Sequence, residues 1–167
     1  MAANKEILDF DPDLLRNKYR EERDKRLRSD GNDQYQEVEG DFTYFVDDPY
    51  VDEKIERNSI TDEIEVAIIG GGFGGILAAA RLKEAGIEDF KIFEKGGDFG
   101  GTWYWNRYPG ASCDIESYIY FPLLEQTKFI PKQKYTNAPE TLEYIGVIAE
   151  KYGLKERAVF QTEITEV

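Results

Sequence analysis

Residues 64–75 read Ile64-Glu65-Val66-Ala67-Ile68-Ile69-Gly70-Gly71-Gly72-Phe73-Gly74-Gly75. The run that ends at Ile69 is short, apolar and rich in β-branched side chains, the composition of a strand buried on both faces of a parallel sheet. Glycines follow at once. Ile76 to Ala85 then supplies Leu77, Ala78, Ala79, Ala80, Leu82 and Ala85, good helix formers closed by Gly86. Phe90 to Phe93 predicts a second strand, so strand, glycine turn, helix and strand compose a βαβ unit with parallel strands.

Gly70, Gly72 and Gly75 set the spacing G-x-G-x-x-G in the strand-to-helix context that dinucleotide binding requires. The first glycine permits a tight turn, the second lets the backbone approach a pyrophosphate, and the third lets helix and strand pack closely. Free N–H groups and the partial positive charge of the helix N-terminus would face the phosphates, with Phe73 and Gly74 in the same turn. Glu94 ends the second strand about 20 residues on, where a carboxylate can accept both hydroxyls of a ribose and would repel a 2′-phosphate. The site therefore suits FAD or NAD better than NADP, and Lys95 beside Glu94 counts among the cofactor-binding residues. A purely structural glycine turn would not call for strand, helix and acid together.

A second glycine-rich stretch, Gly96-Gly97-Asp98-Phe99-Gly100-Gly101-Thr102-Trp103, follows directly. A simple NAD dehydrogenase has no use for it. FAD reaches past the first helix, and small residues would let a second loop run along its ribityl chain and ring. On the bland reading, Trp103, Trp105 and Tyr108 are core aromatics, Asp114 caps a turn or helix, and Cys113 is a small buried side chain with no base to activate it.

Composition narrows the function classes further. The chain has 167 residues, one cysteine and no histidine, which removes disulfide frameworks, Ser-His or Cys-His pairs and imidazole metal sites. A formal net charge of −13 disfavours nucleic acid. With no apolar run near the roughly 20 residues of a membrane span and no secretory pattern, a soluble, cytoplasmic protein is expected.

Residues 1–60 form an acidic N-terminal extension. Asp11-Pro12 predicts the start of a surface helix running to about Arg28 and closed by Gly31. Tyr35, Phe42, Tyr44, Phe45 and Tyr50 suggest that the rest lies along a larger body, or else serves as a partner-binding arm. Residues 61–167 constitute a Rossmann-like FAD-binding domain of the α/β class, with a further helix expected over Thr141–Tyr152 and a strand over Ala158–Val167.

Gly100-Gly101-Thr102-Trp103, Tyr104-Trp105-Asn106-Arg107, Tyr108-Pro109-Gly110 and Asp114 fit the pattern [AG]-G-x-W-x-x-x-x-[FY]-P-G-x-x-x-D without departure. In this the chain resembles the Baeyer–Villiger monooxygenases, from about Ile64 onward. The extension is similar, more weakly, to that of members acting on bulky ketones. The resemblance implies an enzyme in which NADPH reduces the flavin and O2 reoxidises it to a peroxyflavin that converts a ketone to an ester or lactone. It also implies that Gly101, Thr102, Trp103, Asp114 and Tyr120 lie near the flavin as cofactor-binding residues, and that Asp114 has a catalytic part in holding an arginine there. Arg107, at a motif position before the flavin, is expected to be structural.

The family's second fingerprint, F-x-G-x-x-x-H-x-x-x-[WF]-P, needs a histidine, and no second G-x-G-x-x-G occurs. Most NADPH-binding residues are thus expected in the remainder of a longer polypeptide. The chain is expected to be incomplete and inactive alone, because its sheet would leave edges unpaired. Two alternatives stay open: another two-dinucleotide flavoprotein, such as an amine N-hydroxylase, and a truncated nucleotide-binding module without catalysis.

Overall fold

The computed structural model describes residues 10–35 and 38–167. Residues 1–9, on which the reading against a secretory signal rests, and residues 36–37 of the extension lie outside it. The chain divides into two compact units, Met1–Val46 and Asp47–Val167.

In the first unit, helix α1 spans Pro12–Asp24. Asp11 caps it as expected, its carboxylate accepting from the amides of Asp13 (2.9 Å) and Leu14 (3.3 Å). The helix stops four residues short of Arg28 and well before Gly31. It buries no side chain, so only local propensity and exposed ion pairs sustain its last turn. Short 3-10 turns at Gly31–Gln34 and Gly40–Val46 follow, the second displaying Phe42, Tyr44 and Phe45 to solvent.

The second unit is built on three parallel strands, β1 (Val66–Ile69), β2 (Phe90–Phe93) and β3 (Ala158–Val159), in the order β1-β2-β3. Helix α2 (Phe73–Glu84) connects β1 to β2, which fulfils the predicted βαβ unit. Four-residue helices α3 (Thr102–Trp105), α4 (Ser117–Tyr120) and α5 (Leu124–Thr127) precede the long helix α6 (Ala138–Lys151). Helix α2 packs against β1, β2 and α6. The core lies there: Ile76, Ala79 and Ala80 of α2, Phe90 and Ile92 of β2, and Tyr144, Ile145 and Ile148 of α6 are all inaccessible or nearly so.

Three further expectations need correction. Strand β1 is not buried on both faces, since Ala67 and Ile69 face solvent, Ile69 at 59% exposure. Among the described residues the helices cover one face, and β1 has β2 as its neighbour on one edge. Helix α6 begins at Ala138 rather than Thr141, because Asn137 caps it by accepting from Glu140 N (3.1 Å) and Pro139 sits in its first turn. The last strand is two residues long, not ten. Its ladder ends where β2 ends, and Gln161, at φ +51°, turns the chain away.

Candidate functional site

The glycine motif is a close contact between backbones. A Cβ at Gly75 would stand 1.9 Å from the carbonyl oxygen of Gly70, so helix α2 can approach β1 this tightly only without one. Gly70 makes the turn with φ +94°. The first bond into the helix runs from Ile76 N to Gly72 O (3.0 Å), which leaves the preceding amides of the turn directed beyond the helix end. Gly74 is exposed, with nothing near its Cβ position.

The second glycine stretch folds onto the first. Gly100 N donates to Gly71 O at 2.9 Å, and a Cβ on Gly101 would lie 2.8 Å from Gly72 Cα. Positive φ at Gly100 and Gly101 (149° and 52°) lets the chain make this approach before entering α3. The two loops are therefore one continuous backbone cradle. Such a surface could receive an extended dinucleotide, since the N-terminal amides of α2 and side-chain-free backbone adjoin along it.

Glu94 joins the loops from below. Its Oε2 accepts from Gly71 N (2.5 Å) and its Oε1 from Gly96 N (2.6 Å), and the residue is 5% exposed. A carboxylate has about four lone-pair positions, so two are not engaged by the loops. Sequence reasoning gave Glu94 the ribose alone and missed its bonds to the loops. Lys95 points outward to Glu163 (2.8 Å).

Helix α3 carries Thr102, which is exposed, and Trp103, which is 7% exposed. Trp103 Nε1 donates to the Tyr120 hydroxyl (3.0 Å), and their rings meet edge to face at 6.0 Å. Phe73, from the phosphate loop, packs edge to face on Tyr120 at 5.4 Å. A cavity of about 410 Å³ opens beside them, lined among others by Thr102, Trp103, Tyr108, Asp114 and Tyr120. The structure thus brings together the motif residues separated in sequence by the Tyr108-Pro109-Gly110 turn. Of the three aromatics with a bland reading, Trp103 is in the core, while Trp105 and Tyr108 are exposed at 36% and 64%.

Asp114 stands exposed on the cavity wall, and its backbone is fixed from both sides. Cys113 N donates to Thr136 O and Ser117 N to Lys134 O, each at 2.8 Å. Cys113 itself is buried, with its sulfur 3.9 Å from Thr141 Oγ1. Burial pushes its thiol pKa up, with the Asp114 charge acting in the same direction. The Arg107 guanidinium stacks over Tyr50 (3.8 Å) and Tyr104 (4.6 Å), and its Nε donates to Tyr104 O (2.8 Å), a packing role.

Among the described residues no group of acidic residues and cysteine could hold a metal, and no helix is long and apolar enough to cross a membrane.

Comparison with known proteins agrees with this geometry. Residues 68–130 match the family described as NAD(P)-binding Rossmann-like domain. The Baeyer–Villiger monooxygenase ATR8 of Stachybotrys chlorohalonatus is 49% identical over 160 residues, 95% of this chain and 26% of that protein. The polycyclic ketone monooxygenase of the thermophilic fungus Thermothelomyces thermophila superposes with a TM-score of 0.75 at 40% identity, covering 89% of this chain and 25% of its own. OTEMO in complex with FAD and NADP superposes at a TM-score of 0.58 with 32% identity, over 64% of this chain and 20% of that one. The chain spans about a quarter of the length of the curated relatives it matches. In fold, motif and sequence this chain is homologous to Baeyer–Villiger monooxygenases over about a quarter of their length, and it aligns with the N-terminal part of those enzymes.

Proposed function

We propose that this chain is the FAD-binding half-site of an NADPH- and O2-dependent monooxygenase that converts ketones to esters or lactones. The observation that carries the reading is the contact of the two glycine loops, which makes one backbone groove from the N-terminus of α2 to the Trp103–Tyr120 pair. In it, amides of Gly72, Phe73, Gly74 and Gly75 hold the diphosphate by hydrogen bonds and the helix dipole, while Gly70, whose own amide donates to Phe93 O (2.8 Å), shapes the turn. The free lone pairs of Glu94 take the ribose hydroxyls, with Lys95 at the rim. Gly101, Thr102, Trp103 and Tyr120 line the flavin end, where buried aromatic surface excludes water.

Bound FAD supplies the redox chemistry with NADPH and O2, as the complex of OTEMO with FAD and NADP supports by likeness. Asp114, on the cavity wall, has the charge to orient an arginine from elsewhere in the polypeptide, whose guanidinium would stabilise negative charge developing at the reacting carbonyl. Residues 61–167 then form the FAD-binding domain, and residues 47–60 of the 1–60 extension share its compact unit.

The test is the full-length protein. It should purify yellow, release FAD on denaturation, and consume NADPH in the presence of a ketone with one oxygen atom of 18O2 entering an ester or lactone. Colourless protein, or NADPH oxidation yielding a hydroxylated amine as product, would sink the proposal.

A further inference from the structure

The segment that precedes β1 carries no motif, yet it grips the outer side of the cofactor cradle. Asp48 Oδ2 accepts from Tyr104 Oη (2.6 Å) and from Gly97 N (2.9 Å), and Tyr104 Oη lies 3.0 Å from the same amide. Tyr104 is 3% exposed. A Cβ at Gly97 would fall 2.4 Å from Val51 Cγ2 and 2.9 Å from Tyr104 Oη, so the glycine is required where the segment presses on the loop. Tyr50 meets Tyr104 edge to face at 5.5 Å, and Arg107 stacks over both rings. Tyr50 to Trp105 and Asp48 to Gly97 are contacts across some fifty residues of chain.

These contacts converge on two pieces of backbone that face the cradle on their other side. Gly97 follows Gly96, whose amide is held by Glu94; Tyr104 follows Trp103, which is bonded to Tyr120. Tyr104 N also donates to Gly101 O (3.0 Å), the glycine against Gly72 of the phosphate loop. A force on Tyr104 is therefore one residue removed from both the flavin end and the diphosphate end.

We propose that residues Asp48–Val51 form a clasp, with Asp48 as a positioning residue that sets the Gly96–Gly97 loop and helix α3 in the geometry that receives FAD. The clasp reaches the groove only through Gly97 and the Tyr104 side chain. It acts by removing alternative positions of the two backbones, so that binding need not order them. The inference rests on the FAD reading above.

The test compares FAD affinity and the visible flavin spectrum of the full-length holoprotein with those of Asp48→Ala. The variant is expected to hold FAD about tenfold more weakly, the worth of one hydrogen bond to a charged group, with altered vibronic structure in the flavin band. Asp48→Asn, whose amide oxygen can still accept from Tyr104 and Gly97, should recover most of the affinity. Tyr104→Phe keeps the buried ring and should weaken FAD in the same direction, with a less than additive effect in combination with Asp48→Ala. If Asp48→Ala does not fold, Tyr104→Phe supplies the reading alone. A lowered melting temperature of the apoprotein with parental FAD affinity and spectrum overturns the clasp, leaving Asp48 a stability residue. Parental protein that takes up no FAD removes the clasp together with the reading beneath it, and is recognised before any variant is made.

Discussion

Glu94 Oε2 and the amide of Gly71 are 2.5 Å apart, and the other oxygen of the same carboxylate holds Gly96 N at 2.6 Å. One buried acid thereby ties the phosphate loop to the flavin-side loop before any ligand is present. Glu94→Gln would turn an amide NH2 toward one of two backbone N–H groups and orphan it. The expected loss is about 1–3 kcal/mol in denaturant unfolding of the apoprotein, together with weaker FAD retention. Unaltered stability would mean that the carboxylate serves ribose alone.

Gly75 and Gly74 are adjacent and should respond oppositely. Gly75→Ala forces a methyl into the Gly70 carbonyl and should cost about 1–3 kcal/mol or more, with loss of flavin. Gly74→Ala meets open space inside a helix and should raise apoprotein stability by about 0.5–1 kcal/mol. Equal effects in thermal or urea unfolding would contradict the close contact at Gly75.

The Tyr104 hydroxyl has its pKa pushed up to about 12, first by burial and then by its bond to the Asp48 carboxylate. A raised folded-state value means that Tyr104 contributes stability in full below the unfolded value near 10, and that the contribution is lost as pH climbs toward 12. An ultraviolet tyrosinate titration of Tyr104→Phe should lack one late-ionising phenol. Loss of a phenol with an ordinary midpoint instead would show that Tyr104 is freely hydrated.

Cys113 should be inert. Buried and with its thiol pKa raised, it is expected to react with a disulfide reagent only at the rate at which the native protein opens, and at once in denaturant. Rapid labelling of native protein would place the sulfur at the surface.

Asp114→Ala should leave FAD bound while ketone oxygenation falls by about 10²-fold, in line with loss of an electrostatic positioning group. Full oxygenation with bound flavin would remove Asp114 from the chemistry.

Local grammar made the β1–α2–β2 unit and the Trp103–Asp114 motif readable, because glycine spacing and strand composition act within a few residues. The start of helix α6 is written in Asn137-Ala138-Pro139, a cap that apolar periodicity does not register. Other features had no local signal. The exposure of Ala67 and Ile69 depends on which elements cover the sheet, and the shortness of β3 on where β2 stops offering partners. Asp48 looked like one more acid in an acidic stretch, and its role exists only through Gly97 and Tyr104, far along the chain.

The residues just beyond β3 hold more than their plain sequence suggests. Glu94 N donates to Val159 O, Thr162 N donates to Glu94 O, and Gln161 N donates to Gly96 O. Arg57 donates to the carbonyl oxygen of Phe160 and bonds Thr162, while Gln161 Oε1 accepts from Ile55 N. Trimming this tail at Phe160 would spare the Val159 bond but remove the Thr162 hold on the acid, the Gln161 hold on Gly96 and the ties of Gln161 and Thr162 to the segment leading into β1 in a single stroke. A boundary drawn for expression by motif alone would discard the anchorage and keep the motif.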